Sequence, residues 1–307
     1  MVAPWLWAVF TVIAALAQTL RNAMQRELTK SLGTVGATHV RFLFGFPFVL
    51  VFLAGVMLAT GSAPPRPGAM FWPWVILGAG AQVAATALML AAMGERSFVV
   101  TIAYLKTEPI QVAIFGLVFL GDVLTWPMMT AIVVATAGVV IMSANPLAAL
   151  RDQGKQGWRF GGIRPTLMGL GSAAMFALSS VGYRGAILSL GLANFVMAAT
   201  FTLAVGIAMQ AVLLSLYLGL RSPVVLVNIV RAWKPSLSAG FAGAAASQFW
   251  FLAFALATAA SVRTLALIEV LFAQLIARVA FGQHTSAREA AGMVLVVCGV
   301  ALLLWAY

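Results

Sequence analysis

Charge is what this chain has least of. Of its 307 residues only 8% are charged and only 7 are acidic, while 63% are hydrophobic and the mean hydropathy is +1.04. A soluble globular protein, with about a quarter of its residues charged, is excluded. Cysteine is nearly absent: Cys298 stands alone, which rules out an intramolecular disulfide and a thiolate metal cluster and leaves a small packing residue in an apolar helix. The two histidines, His39 and His284, lie at span ends and far apart, so no metal site is expected. No Walker motif is present, and ATP therefore does not act directly. The short alternating segments of a β-barrel are missing as well. Apolar runs of about 20 residues recur instead, the length a helix needs to cross a bilayer.

The charge that is present leans one way. Lys and Arg number 18, for a formal net charge of +11. In a soluble protein that excess would suggest nucleic acid, but here the basic residues fall in loops and at helix ends, where they meet anionic headgroups and orient the chain. The lipid bilayer is thus the expected macroscopic partner, and nucleic acid is not. The N-terminal MVAPWLW lacks the basic region of a signal peptide and reads as the start of a first span.

Ten spans are read, at 4–25, 38–60, 70–93, 98–120, 126–145, 166–188, 193–218, 236–257, 262–281 and 287–306. Turn-forming residues mark the breaks, as at Gly61 to Pro65, Asn145-Pro146, Arg151 to Pro165 and Arg221 to Pro235. Trp5, Trp7, Trp72, Trp74, Trp126, Trp158, Trp233 and Trp305 lie near helix ends as an interfacial belt requires; Trp250 is the exception. Odd-numbered connections hold Arg26, Lys30, Arg96, Arg151, Lys155, Arg159, Arg164, Arg221, Arg231, Lys234 and Arg288, and even ones only Arg66 and Arg263. By the positive-inside rule the odd connections are cytoplasmic and both termini lie outside.

The chain divides into residues 1–145, a linker at 146–165 and residues 166–307. Five spans per half is an odd number, so the second half enters from the opposite face, and the expected fold is an all-α integral membrane protein with ten transmembrane helices in two inverted five-helix repeats. A shift of 161 positions lays Glu108 on Glu269, Gly121 on Gly282 and Gly138-Val139 on Gly299-Val300.

The stretch from Gly94 to Thr125 puts charge where lipid tolerates it least, since Lys106 and Glu108 fall inside a span. Intramembrane ionisable groups face a bundle interior or a wet cavity and mark pathways or binding sites. Pro109 removes an amide and kinks the helix. Tyr104, Glu108 and Gln111, at i, i+4 and i+7, make one polar stripe. Two readings of Glu108 and Glu269 stand side by side: each pairs with a nearby cation such as Lys106 or Arg263 and locks helices, or each holds a substrate ammonium or a proton. Lys106 meets a substrate carboxylate or snorkels. Gln18, Gln82 and Gln248 are isolated amides, either interhelical ties or ligands. Arg21, Arg41, Arg184 and Arg278 read first as headgroup or helix-pairing contacts, with bidentate capture of a carboxylate as the alternative.

Arg41-Phe42-Leu43, Glu108-Pro109, Phe119-Leu120-Gly121-Asp122 with Leu124-Thr125, and Gly138-Val139 resemble the EamA repeat of the drug/metabolite transporter superfamily. In the second copy Val270 replaces the proline and Gln283-His284 the acidic loop residue. Within the superfamily the chain is most similar to the bacterial exporters of aromatic and other amino acids. The resemblance implies a multi-pass protein of the bacterial inner membrane, a central cavity and alternating access. Many relatives keep both termini in the cytoplasm, whereas the charge count places them outside. Expected substrate contacts are Gln18, Gln82, Tyr104, Lys106, Glu108, Phe176, Gln248, Trp250 and Glu269; Phe176 enters through the resemblance alone. The expected partner is a small solute, an amino acid, handled by a monomer without cofactor. A nucleoside, sugar or cationic drug is the alternative cargo. A channel and an intramembrane enzyme, which would need pore rings or a nucleophile with its base, fit the residues less well.

Overall fold

The first helix does not stop where its polar residues begin. In the computed structural model, which describes residues 3–95, 104–143, 163–272, 274–275 and 286–307, α1 runs over Leu6–Leu43, interrupted by Gly33 at φ 67° and ψ 174°. A side chain strains in that left-handed region and glycine does not. The chain doubles back there, and Gln25 Nε2 donates to the Ala37 carbonyl at 3.0 Å. The expected loop between the first two spans is therefore a helical hairpin. Helix α2, Gly45–Thr60, follows after Phe44 and is ended by Gly61 at φ 62°.

The remaining helices are α3 (Phe71–Glu95), α4 (Glu108–Phe115), α5 (Trp126–Ser143), α6 (Ile163–Ser189), α7 (Phe195–Arg221), α8 (Pro223–Arg231), α9 (Trp233–Leu256), α10 (Ala259–Leu265) and α11 (Ala287–Ala306); no strand occurs among the described residues. Local chemistry explains several boundaries. The Asn194 side chain accepts from the amides of Val196 and Met197 at 3.1 and 3.2 Å to start α7, and Ser286 and Glu289 form a capping box at α11. Helix α4 passes into a π-helical turn, Gly116–Leu120, that Gly121 closes at φ 67°. The expected break between Arg221 and Pro235 instead holds α8, whose Ile229 packs among Leu28, Leu32, Val40 and Leu218.

Among the described residues, six stretches are long and apolar enough to cross a membrane: Ser31–Thr60, Phe71–Met89, Thr166–Ser189, Phe195–Arg221, Trp233–Leu256 and Ala287–Ala306. Three shorter apolar helices accompany them, Leu6–Asn22, Glu108–Leu120 and Trp126–Met142. Large apolar side chains such as Leu58, Val51 and Val212 are exposed, as they are where a protein meets lipid. The chain is a multi-pass, all-helical membrane protein. The expected span 262–281 and Gly282 run into residues outside the described set. Trp5, Trp72, Trp126, Trp233 and Trp305 are exposed, whereas Trp7 is buried. Its place near a helix end satisfied the belt pattern, but its ring faces inward.

Two compact units form, one from Met1–Gly80 with Gly182–Ala257 and one from Ala81–Val181 with Thr258–Tyr307. Each draws on both halves of the sequence. In the first, α1 packs along α9, and a Cβ on Gly240 would lie 2.6 Å from Phe44 Cβ. The Tyr183 ring occupies the space over Gly78 and Gly206. In the second, α5 packs along α11. There a Cβ on Gly138 would lie 2.7 Å from the Gly292 carbonyl oxygen, and one on Gly299 would lie 2.6 Å from the Ala135 amide nitrogen. Without a hydrophobic driving force between helices in lipid, such backbone approach supplies the dispersion contact that holds them.

Gly138→Leu is expected to destabilise the protein by about 3 kcal/mol through overpacking. Gly55→Leu, where no atom lies within 4 Å of the added Cβ, is expected to change little. Thermal melts of the two variants in detergent check the contrast.

Candidate functional site

Helix geometry changes at both glutamates, the buried Glu108 and the half-buried Glu269. Before Glu108 the backbone takes two tight turns, Thr107 N to Tyr104 O at 3.1 Å and Ile110 N to Thr107 O at 3.2 Å. Helix α4 then restarts at Glu108 with Pro109 in its first turn, where a missing amide costs nothing. The expected kink inside one continuous span is thus a break at Lys106–Thr107. Before Glu269, α10 tightens into the 3₁₀ turn Ala266–Ile268, and helix resumes at Glu269 itself. The two carboxylates hold corresponding places, 161 positions apart, each at the start of a resumed helix, where the helix dipole favours negative charge.

Each carboxylate takes its cation from the other segment. Arg263 donates to Glu108 through Nε at 2.7 Å and Nη2 at 2.6 Å, a bidentate pair. Lys106 pairs with Glu269. Glu108 is 8% exposed. Together with Leu105, Pro109, Ala266 and Leu267 the four charged side chains line one small cleft of the second unit. An isolated buried charge is far costlier than a paired one, so the alternation of sign is what permits four ionised groups here. Arg263 was placed in a connection by the sequence, yet it sits within α10. Its signal was its closeness to Glu269, six residues on.

The polar stripe is divided by the break. The Tyr104 hydroxyl accepts from Thr166 at 3.1 Å on α6, while Gln111 Nε2 donates to Thr107 Oγ1 at 3.2 Å. A Cβ on Gly169 would lie 2.9 Å from Tyr104 Cβ, so that glycine makes room for the tyrosine. Gln82 on α3 and Phe176 on α6 are half-buried in the same unit.

In the first unit Trp250, 5% exposed, donates its indole N–H to Gln18 Oε1 at 3.1 Å. Gln248 Nε2 donates to Thr200 Oγ1 at 2.7 Å, and its buried Oε1 faces no donor among the described residues. Arg184 donates to the Phe254 carbonyl at 2.8 Å and to that of Ala257, at the C-terminal end of α9, where a cation suits the helix dipole. Of the nine expected site residues, Gln18, Gln248 and Trp250 belong to the first unit and Gln82, Tyr104, Lys106, Glu108, Phe176 and Glu269 to the second.

Comparison with known proteins places the charged cleft in context. Residues 5–144 match the EamA-like transporter family. No curated protein matches the chain. A crystal structure of another protein superposes with a TM-score of 0.70 at 17% identity, covering 96% of this chain and 95% of that one, which shows a shared fold over nearly the whole length. The EamA-like domain includes Lys106, Glu108 and the glycine that ends the π turn, Gly121. Their ionic partners, Arg263 and Glu269, come from beyond it.

Removing one member of a buried pair strands the other. Arg263→Leu is expected to cost about 3 kcal/mol, the low end because a fifth of the arginine side chain remains exposed. The double variant Glu108→Leu/Arg263→Leu is expected to recover most of that loss. A double-mutant cycle on melting temperatures checks it.

Proposed function

We propose that the chain is a secondary transporter that exports amino acids, aromatic ones included, across the bacterial inner membrane by alternating access, with ten transmembrane helices in two inverted five-helix repeats. The EamA-like domain supports transport as the activity. The crossed ion pairs, Glu108 with Arg263 and Lys106 with Glu269, support the cargo class. A zwitterion exchanges with such pairs without leaving net charge behind: its ammonium replaces a cation on one glutamate, and its carboxylate replaces a glutamate on one cation. A neutral sugar satisfies neither group, and a cationic drug satisfies only the carboxylates. On this reading Gln18, Gln82, Tyr104, Lys106, Glu108, Phe176, Gln248, Trp250 and Glu269 contact the substrate.

The bidentate geometry at Arg263 favours a second role for the same groups. The pairs tie α4 to α10, so they act as a lock that substrate or a proton opens. The two roles separate by charge exchange: Glu108→Arg/Arg263→Glu restores a lock but not a substrate contact.

Efflux from proteoliposomes loaded with amino acids, nucleosides or sugars, with and without a pH gradient, tests the proposal. Amino-acid efflux above protein-free vesicles is expected, and efflux of sugars or nucleosides alone would overturn it. Glu108→Gln is expected to lower efflux at least tenfold, whereas Glu95→Gln at the end of α3 leaves it near wild type. Equal rates would remove Glu108 from the site.

A further inference from the structure

One helix of the first unit is too short to cross a bilayer and too apolar on its outer side for water. Helix α8, Pro223–Arg231, has 9 residues, about 13.5 Å of helix against a hydrocarbon core of about 30 Å. It joins the C-terminal end of the apolar stretch Phe195–Arg221 to the start of Trp233–Leu256, so it lies at the membrane face where those two spans end. The backbone leaves helical geometry at Ser222 and again at Ala232, and α8 therefore continues neither span. Its inner face is accounted for: Ile229 packs among Leu28, Leu32, Val40 and Leu218, with Val225 and Leu226 against the same cluster.

The outer face is apolar as well. Val224, Val227 and Val230 are 67%, 49% and 62% exposed, and the exposed Arg231 shares their side, seven residues after Val224 and four after Val227. Trp233, Leu237 and Phe241, one turn apart on α9, are exposed too, so the lipid-facing stripe of that span starts at Trp233, the residue type that sits at the membrane interface. Lys234 Nζ stands 5.7 Å over the Trp233 ring. Charge then selects the lipid. Arg221, Arg231 and Lys234 are all exposed, residues 182–257 contain no Asp or Glu, and Glu27 is the one acidic residue in the sequence of the unit. We propose that α8 lies in the headgroup layer with its three outer valines at the acyl boundary, and that Arg221, Arg231 and Lys234 bind anionic phospholipid headgroups there. Arg231 reaches the phosphates by extending its apolar stem past the valines. A zwitterionic headgroup brings its own cation to the same phosphate and is the weaker ligand. The site stands whether or not amino acids are the cargo.

Melting temperature of the delipidated full-length protein in neutral detergent, titrated with phosphatidylglycerol or with phosphatidylcholine, tests this, since a ligand that binds the folded state raises it. A saturable rise with phosphatidylglycerol, larger than that with phosphatidylcholine, is expected. Arg221→Gln, Arg231→Gln and Lys234→Gln are each expected to raise the half-saturating concentration of phosphatidylglycerol about fivefold. Arg66→Gln removes the same charge from the connection between α2 and α3 and is expected to titrate as wild type does. The proposal is overturned by equal wild-type responses to the two lipids, a titration that needs no variant. It is overturned as well by variants at 221, 231 and 234 that titrate as wild type, or by an Arg66→Gln protein weakened as much as they are. A dimer in detergent that Val227→Asp returns to monomer would give this face to a second copy and overturn it too.

Discussion

A carboxylate taken out of water must find a cation or give up its charge, and the second unit is built around that constraint. Glu108 and Glu269 both sit within apolar segments, and both are answered by a cation from the opposite segment. The pairing ties α4 to α10 without any apolar driving force, which lipid would not supply. It also explains the irregular backbone. A regular helix through residues 104–110 would carry Glu108 mid-helix, whereas the break at Lys106–Thr107 puts it at a positive helix start beside Arg263. The same arrangement, four alternating charges in one cleft, is what suits the proposed zwitterionic cargo.

Close backbone approach does the rest of the structural work. Gly138, Gly292 and Gly299 let α5 and α11 touch, and Gly240 and Gly243 let α1 approach α9. In both units the paired helices come from different halves of the sequence. At Gly243 the absent side chain has a second consequence, because the space it leaves holds the stems of two arginines rather than a methyl group.

Much of this was legible along the chain. Pro109 announced an interruption, and Gly61 and Gly121 announced helix ends. The site was less legible. Arg263 read as a loop residue because the connection after α9 is shorter than a hydropathy pattern resolves, only Ala257 and Thr258 separating α9 from α10. Trp7 read as an interfacial anchor because its sequence position, not its facing, carried the inference. The polar run after Arg21 read as a loop, but Gly33 concentrates the reversal into one residue and leaves helix on either side.

The sequence by itself determined that this is a helical, multi-pass chain and marked the interruptions at Gly61, Pro109 and Gly121, because hydropathy, proline and glycine act through neighbouring residues. Only the tertiary structure decided which cation meets which carboxylate, which glycines face a backbone and which arginines share a notch. Those are contacts between residues far apart in the chain, as with the 155 positions between Glu108 and Arg263. Their partners depend on how helices pack, which no local pattern encodes.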